Sequence, residues 1–193
     1  MARLWLIRHG ETLWANEGRH TSRTDVALTR AGQTQAEAVR RRLEHRTFAL
    51  VLCSPSARAR ETCKAAGYAD VAYVDPDLKE WDYGQYEGRT TPEIRQERPG
   101  WELWTDGPPG GETPEQVGER VDRVILRAAS VDGDVALFGH GHSLRVLTAR
   151  WLALTAAAGK LFAFGTGSIC VLGYEREQRV VLAWNDALFC GES

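Results

Sequence analysis

The sequence lacks any apolar run that approaches the roughly 20 residues needed to cross a bilayer. Residues 1–9 (MARLWLIRH) likewise contain too short an apolar stretch for a secretory signal peptide. The formal net charge is -2, so the overall composition does not favour nucleic-acid binding. We therefore expect a soluble, cytoplasmic protein with neither a membrane nor a nucleic acid as its partner.

The four cysteines form no recognisable framework. They stand at positions 53, 63, 170 and 190, without a CxxC pair and without the spacing of zinc ligands. Cys53 lies in an apolar run, which is typical of a small core residue. Scattered thiols of this kind indicate a reducing cytosol.

Short apolar runs alternate along the chain with segments of helical periodicity. The apolar runs predict strands over residues 4–7, 48–53, 71–74 and 135–138, and a closing hairpin over residues 167–174 and 179–184. Helices are predicted over residues 31–44, after Ser54-Pro55, after Thr113 and over residues 143–154. This alternation favours a three-layer α/β/α sandwich with a mostly parallel central sheet.

Three of the predicted helices carry signals at their first residues. Thr29 stands where an N-cap side chain is preferred. Ser54 and Pro55 combine an N-cap serine with a proline at the first helical position. Thr113 and Gln116 have the spacing of a capping box.

The chain is long enough for one hydrophobic core. It has 193 residues, of which 43% are hydrophobic, and it contains no internal repeat, low-complexity segment or linker. We therefore expect one domain over residues 1–193. Residues 84–112 differ, because they are rich in Gly, Pro and Trp and show little periodicity. We expect this segment to be an insertion or lid.

Chemically active side chains follow each predicted strand of the parallel sheet. In chain order they are Arg8 and His9, Arg58, Glu80, and His140. Ligands bind outside the carboxyl ends of the strands in open α/β sheets. Because these ends meet at one edge, we expect the five side chains to form one site.

Each of these residues has an ordinary interpretation when it is considered alone. A strand-end histidine is more often a packing or capping residue, Arg58 could be a solvated helix arginine, and Glu80 could be a surface carboxylate. His140 and His142 could be metal ligands, but no third ligand is evident. The run of residues 139–141 (GHG) is only a weak sign of a dinucleotide turn, since the third glycine is missing. We expect neither a metal nor another cofactor.

Taken together, the set suits phosphoryl transfer. Arginine offers paired N–H donors that match phosphate oxygens. A neutral imidazole can attack phosphorus and form a phosphohistidine intermediate. A carboxylic acid can protonate the leaving oxygen and then deprotonate the attacking water. The positive end of the helix that Ser54 is expected to cap would add to the anion site.

Four motifs in this order resemble the signature of the histidine phosphatase superfamily, also called the phosphoglycerate mutase-like family. They are residues 8–12 (RHGET), 54–62 (SPSARARET), 78–88 (LKEWDYGQYEG) and 138–145 (FGHGHSLR). The resemblance covers nearly the whole chain. It implies that His9 is the phosphorylated nucleophile and that Glu80 is the proton donor. It also implies that the phosphoryl oxygens are held by Arg8, Arg58 and His140.

The resemblance further implies finer phosphate contacts from the Gly141 amide, Thr21 and Ser22. Two departures from the family pattern bear on these contacts. Ala15 stands where many relatives have a phosphate-binding asparagine, and Asn16 is one residue out of register. Ser22 stands where glycine is frequent in the family.

The short insertion favours a phosphatase over a mutase. Mutases of this family generally have a larger insertion and a C-terminal tail, because their phosphohistidine must be shielded from water. Residues 80–84 (EWDYG) and 90–95 (TTPEIR) are similar to small bacterial acid phosphatases, and residues 18–25 (GRHTSRTD) to the sedoheptulose-bisphosphatase branch. We expect hydrolysis of a small phosphorylated metabolite. Mutase-type transfer and an inactive binding module are the alternatives.

A mildly acidic pH optimum is expected, because arginines should lower the pKa of His9 while Glu80 must be protonated at the first step.

The sequence leaves the roles of three side chains open. Trp101 and Trp104 either line the mouth of the site or anchor the insertion, and His20 either touches substrate or caps a turn. The sequence also leaves open whether the chain forms a homodimer.

Overall fold

Six strands form one mixed sheet in the computed structural model, which describes residues 3–187. The strand order is β3-β2-β4-β1-β5-β6. Strands β1 to β4 pair in parallel, β5 pairs antiparallel with β1, and β6 pairs antiparallel with β5. The strands are β1 (Leu4–Arg8), β2 (Leu50–Cys53), β3 (Ala72–Val74), β4 (Val135–Gly139), β5 (Ile169–Glu175) and β6 (Gln178–Asp186). The predicted α/β fold with a mostly parallel sheet is confirmed.

The central strand β1 is apolar throughout because both of its faces are covered. Leu4 and Leu6 belong to one hydrophobic cluster, and Trp5 and Ile7 to a second. Side chains alternate across a strand, so an uninterrupted apolar run supplies both clusters.

Helices cover both faces of the sheet. They are α1 (Leu13–Asn16), α2 (Arg30–Leu43), α3 (Ala57–Ala65), α4 (Thr91–Glu97), α5 (Leu103–Asp106), α6 (Pro114–Ala129) and α7 (Gly141–Trp151). The apolar side chains of α2 and α3 join the cluster of Trp5, and those of α6 and α7 join the cluster of Leu4. None of the helices between residues 3 and 187 is long and apolar enough to span a membrane.

Two predicted helix caps are observed. The Thr29 side chain accepts a hydrogen bond from Gly32 N at 3.0 Å, so α2 begins at Arg30. Thr113 and Gln116 form a reciprocal capping box at the start of α6. Each interaction satisfies backbone N–H groups that have no partner inside the helix.

The predicted cap at Ser54 is wrong. Helix α3 begins at Ala57, two residues beyond Pro55, and its N-cap residue is Ser56, whose side chain makes no capping bond. The Ser54 hydroxyl instead lies 2.7 Å from Nε2 of His140. The Ser54 hydroxyl therefore contacts His140, which follows another strand, and does not cap α3.

The insertion contains more regular structure than its composition predicts. Residues 84–112 include a 3-10 turn over Gly84–Tyr86 and the short helices α4 and α5. Trp101 is fully buried, and its Nε1 donates to Gly107 O at 2.9 Å. The bond lies within the insertion, and the burial of Trp101 in the same hydrophobic cluster as Leu4 and Leu6 anchors the insertion to the body of the protein.

Three of the cysteines are described by the structure. Cys53, Cys63 and Cys170 are buried and free, in accordance with the core position expected for Cys53. Cys190 lies outside the described residues.

Candidate active site

A cavity of about 290 Å³ lies at the carboxyl edge of the parallel strands. Its lining includes five of the predicted site residues: Arg8, His9, Thr21, Glu80 and Gly141. The three others, Ser22, Arg58 and His140, are buried and do not contribute to the lining. The strand-end positions in the sequence thus come together in space.

His9 is held in one tautomer. Its Nδ1 lies 2.7 Å from the carbonyl oxygen of Gly10, which can only accept a hydrogen bond, so Nδ1 carries the proton. The lone pair of the neutral ring is therefore on Nε2. Burial, together with the charges of Arg8 and Arg58, lowers the pKa of His9 well below its usual value. The imidazole stays neutral and keeps a nucleophilic nitrogen.

Gly10 is required by a close approach of two backbones. A Cβ atom at this position would lie 2.2 Å from Gly32 O, near the start of α2. On the other side, Gly10 N donates to the Thr62 hydroxyl at 3.0 Å, and that hydroxyl donates to Arg58 O at 2.8 Å. The turn that carries His9 is therefore fixed between α2 and α3.

Arg8 lies directly against the start of α7. Its Nη1 donates to Phe164 O, while its Nε is buried without a protein partner. A Cβ atom at Gly141 would lie only 3.2 Å from Arg8 Cζ, so the guanidinium occupies the space that a side chain would fill. Burial is the chief cause that lowers the pKa of Arg8, and Glu80 opposes it.

Arg58 extends from α3 under the loop that contains Thr21 and Ser22. Its Nη2 donates to Thr21 O at 3.0 Å, and its Nη1 donates to Thr24 O at 3.2 Å. From the other side, the Glu87 carboxylate accepts from Ser22 N at 2.9 Å and from Thr24 N at 3.1 Å. Ser22 thus contributes backbone groups to the support of Arg58.

His140 follows β4 and is completely buried. Its ring centroid lies 5.2 Å from that of His9, with an angle of 63° between the ring planes. Ser54 Oγ lies 2.7 Å from Nε2, while Nδ1 is buried without a protein partner. Burial, followed by the charge of Arg58, lowers the pKa of His140 well below its usual value.

Three residues near His9 each have a buried polar atom without a hydrogen-bond partner. Of the five buried side-chain atoms without a hydrogen-bond partner in residues 3–187, three are Arg8 Nε, Arg58 Nε and His140 Nδ1. Buried polar atoms in folded proteins are otherwise nearly always satisfied. The two guanidinium N–H groups and the imidazole nitrogen therefore lack the partners that buried polar atoms normally have.

Glu80 lies at the N-terminus of α7, where backbone N–H groups point at its carboxylate. Its Oε1 accepts from Trp81 N at 2.9 Å and from Ser143 N at 2.8 Å, and its Oε2 accepts from His142 N at 3.1 Å. These bonds fix the carboxylate at the cavity wall, and Oε2 keeps acceptor capacity for a further partner.

Two cavity residues that the sequence reasoning did not assign are Tyr83 and His142. The Tyr83 hydroxyl lies 2.5 Å from His142 Nδ1. Burial, reinforced by the charge of Glu80, raises the pKa of Tyr83 well above its usual value. Burial lowers the pKa of His142 well below its usual value. Tyr83 stands inside the motif of residues 78–88 and His142 inside the motif of residues 138–145, which is the sequence signal that could have indicated them.

The residues with open roles now have positions. His20 lines the cavity and stacks on Tyr83 at 4.6 Å between ring centroids, and its burial lowers its pKa to about 4. Trp101 and Trp104 do not line the cavity; Trp101 anchors the insertion through its burial in the hydrophobic core. Ala15, at the position where the family pattern has a phosphate-binding asparagine, also lines the cavity.

Among the described part of the chain, no group of three or more His, Cys, Asp or Glu side chains is arranged to hold a metal ion.

The fold and the site define an α/β protein with a cavity at its strand ends that is lined by His9, Arg8 and Glu80. The sequence model of the histidine phosphatase superfamily (branch 1) matches residues 4–187. The chain belongs to this superfamily, and the predicted resemblance is confirmed.

The similar proteins include phosphatases. An acid phosphatase of Mycobacterium tuberculosis is 44% identical over 181 residues, which is 92% of this chain and 89% of that protein. The sedoheptulose 1,7-bisphosphatase of Saccharomyces cerevisiae is 36% identical over 182 residues, which is 77% of this chain and 67% of that protein. A solved structure of a Mycobacterium tuberculosis open reading frame product has a TM-score of 0.92 at 42% identity and covers 96% of this chain and 98% of that chain.

Proposed function

We propose that the protein hydrolyses small phosphomonoesters through a phosphohistidine intermediate on His9. The observation that carries the proposal is the state of His9: its Nδ1–H is held by Gly10 O, which leaves Nε2 as the free nucleophile. Around this ring are the unpartnered donors of Arg8 and Arg58 and the unpartnered nitrogen of His140.

In the first step, the lone pair of His9 Nε2 attacks phosphorus, and the bond from phosphorus to the ester oxygen breaks. The carboxyl group of Glu80 gives its proton to the leaving oxygen, so the alcohol departs neutral. Arg8, Arg58 and His140 hold the phosphoryl oxygens. Their charges and donors are in place before the reaction, so little reorganisation is needed in the transition state.

In the second step, water attacks the phosphohistidine. The Glu80 carboxylate takes a proton from this water, the bond between phosphorus and Nε2 breaks, and inorganic phosphate leaves. His9 returns to its neutral form, and Glu80 is again protonated for the next cycle. This scheme needs neither a metal nor another cofactor.

Lesser roles in the same site follow from position. Thr21 and Gly141 line the cavity and are assigned to the binding of phosphate or substrate. Ser22 is assigned an indirect role, because its carbonyl accepts from Arg58 Nη2 at 3.4 Å while its N–H is bound by Glu87. The substrate is a small phosphorylated metabolite, in keeping with the volume of the cavity and the names of the similar phosphatases.

The proposal is tested by trapping the intermediate. The protein is mixed briefly with a phosphoester labelled in its phosphoryl group and quenched in acid or alkali. An acid-labile, alkali-stable label is expected on the wild-type protein. It should be absent from His9→Ala and present on His45→Asn, which changes an exposed histidine. A label that persists on His9→Ala contradicts the assignment, and rapid isomerisation of 3-phosphoglycerate without phosphate release favours a mutase.

A further inference from the structure

Two buried thiols that the proposed reaction does not use lie between β2 and α3. Cys53 is the last residue of β2, and Cys63 lies in the second turn of α3. Both side chains belong to the hydrophobic cluster of Trp5, and each is only 2% exposed. Because α3 packs on β2, cysteines from two different elements share one place in the core.

The two thiols are in direct contact. A hydrogen bond with Cys63, followed by burial, raises the pKa of Cys53 above its ordinary value, and the charge of Arg60 opposes this rise. The Cys53 sulfur also lies 3.4 Å from Ser54 O, a weak second acceptor for its S–H. Cys53 therefore stays protonated, and its sulfur stands beside that of Cys63 without a covalent bond.

A cavity of about 430 Å³ connects this pair to the surface. Both cysteines line it, together with the exposed side chains of Arg60, Glu61 and Lys64. Hydrogen peroxide is little larger than water, so a cavity of this volume admits it. Two of the three charges are positive, and positive charge beside a thiol favours the thiolate, which is the form that reacts.

Cys53 is the chain neighbour of a residue that supports His140. Ser54 follows it directly, and the Ser54 hydroxyl lies 2.7 Å from His140 Nε2. The backbone of Ser54 is tied to the neighbouring strand, since its N–H donates to Phe138 O at 2.9 Å. A displacement at the end of β2 therefore moves the hydroxyl that contacts His140.

Cys63 is the chain neighbour of a residue that supports the turn of His9. Thr62 precedes it, and the Thr62 hydroxyl accepts from Gly10 N at 3.0 Å and donates to Arg58 O at 2.8 Å. Arg58 itself stands in α3. A displacement of α3 therefore moves both the support of the proposed nucleophile and an arginine of the proposed phosphoryl site.

We propose that Cys53 and Cys63 form a modification site for hydrogen peroxide, which joins them in a reversible disulfide that lowers the activity of the neighbouring site. The Cys63 thiolate attacks one oxygen of the peroxide, the O–O bond breaks, and the departing hydroxide takes the Cys63 proton to form water. The Cys53 sulfur then attacks the sulfenic acid on Cys63. The S–O bond breaks, and the hydroxyl leaves as water with the Cys53 proton. Two thiols are oxidised, and one peroxide is reduced to two waters.

The disulfide requires a movement that reaches the proposed catalytic groups. Its sulfur atoms must approach to about 2.05 Å, which is shorter than any contact between two separate thiols. The end of β2 and α3 are therefore drawn together. Small displacements of positioned groups are costly, so kcat/KM should fall about 10- to 100-fold. The bond itself does not depend on the proposed function, whereas its effect on turnover rests on it.

The test treats the reduced protein with hydrogen peroxide and follows the bond and the activity together. Mass spectrometry of the wild type should show the loss of two hydrogen atoms and a peptide cross-linked between Cys53 and Cys63. Turnover of p-nitrophenyl phosphate should fall in parallel with this cross-link. Dithiothreitol should remove the cross-link and restore the turnover, as is typical of redox-sensing disulfides in reducing compartments.

Three variants separate the pair from other effects of peroxide. Cys53→Ala and Cys63→Ala each remove one partner, so both should start near the wild-type activity and escape the loss. Alanine is suitable because a buried free cysteine behaves as a small hydrophobic residue. Cys170→Ala is the matched control: Cys170 is buried in the cluster of Leu4, and its sulfur accepts from Asn185 N at 3.1 Å. It should respond to peroxide as the wild type does.

Several outcomes overturn the proposal. They are a disulfide to Cys170 or Cys190 in place of this pair, a loss of activity without the cross-link, and a complete cross-link with unchanged turnover. If the reduced protein has no His9-dependent turnover, the proposed function is wrong, and the effect of the bond is measured by calorimetric binding of inorganic phosphate. The reduced protein should then bind phosphate more tightly than the cross-linked protein, and equal affinities contradict the proposal.

Discussion

The hydroxyl of Ser54 and the Nε2 atom of His140 form a 2.7 Å contact between two completely buried side chains. Ser54 follows β2 and His140 follows β4, and these strands are neighbours in the sheet. A hydroxyl can donate to Nε2, in which case Nδ1 carries the proton and can donate to an anion. The contact thus orients the imidazole toward the proposed phosphoryl group.

Removal of this hydroxyl should weaken catalysis. In Ser54→Ala, His140 loses the partner that fixes its tautomer, so kcat should fall about 10- to 100-fold with a smaller change in KM. Steady-state hydrolysis of p-nitrophenyl phosphate measures both constants. Ser56→Ala is the matched control in the same loop, because it removes the 3.4 Å contact between the Ser54 and Ser56 hydroxyls and leaves the contact between Ser54 and His140. An equal loss in both variants would assign the effect to the loop as a whole.

Glu87 is expected to act as a positioning residue for Arg58. Its carboxylate binds Ser22 N and Thr24 N, and Arg58 donates to carbonyls of the same loop. Glu87→Gln removes one acceptor oxygen, so the loop and the guanidinium should shift.

The measurement is the inhibition constant of inorganic phosphate, which should rise about tenfold in Glu87→Gln. Glu97→Gln serves as the control, since Glu97 pairs with Arg89 at the surface at 2.7 Å. Unchanged phosphate affinity in Glu87→Gln, with a folded protein, would contradict the positioning role.

A methyl group at Gly141 should displace Arg8. The Cβ atom of Gly141→Ala would lie 3.2 Å from Arg8 Cζ and 3.3 Å from Arg8 Nε, and contacts this close require a neighbour to move. Activity should fall at least about tenfold, because the guanidinium would leave its place in the phosphoryl site.

The folded state should tolerate this change, since Gly141 does not have the positive φ angle that favours glycine. Gly118→Ala in α6 is the comparison, because its Cβ would lie at a similar distance, 3.3 Å from Ala156 Cβ and 3.7 Å from Arg150 Cδ, but outside the cavity lining. Thermal unfolding and turnover are measured on both variants. Full activity in Gly141→Ala would show that Arg8 does not need this space.

Stability should decrease as the pH falls below 6.5. Burial lowers the pKa of His20 from 6.5 to about 4, so between these values the unfolded chain binds a proton that the folded protein does not. The free energy of unfolding therefore falls with pH, by about 2 kcal/mol from pH 7.5 to 5.0 for this group. The lowered pKa values of His9, His140 and His142 act in the same direction.

Urea denaturation at the two pH values checks this linkage. His20→Asn should lose less stability on acidification than the wild type, while His45→Asn should behave as the wild type. An identical pH dependence in His20→Asn would mean that the pKa of His20 does not differ between the folded and unfolded states.

The strand-end positions of the site could be read from sequence because they depend on a local signal. The apolar runs that end at Ile7 and Phe138 predict strands, and the observed β1 and β4 differ from the predictions by one residue at the carboxyl end. Parallel strands present these ends at one edge, so His9 and His140 were expected together, and their rings lie 5.2 Å apart.

The insertion was harder to interpret from sequence, because its helices are short and are stabilised mainly by tertiary contacts. Helix α5 has four residues, too few for a clear period, and Trp101 is held by Gly107 and by burial in the core. Composition alone therefore predicted an irregular lid where the structure has anchored segments.

The sequence by itself determined the fold class and the positions that follow the strands, where the arginines, the histidines and Glu80 stand, since the hydrophobic periodicity that marks each strand and helix is a local property. Only the tertiary structure decided which partner each polar group takes. Ser54 was predicted to cap α3 and instead meets His140, which is 86 residues away in the chain. Cys53 and Cys63 likewise gave no sign in the sequence that their thiols would meet. Such pairings depend on which elements pack together, because a buried polar atom must find its partner among whatever neighbours the fold brings to it.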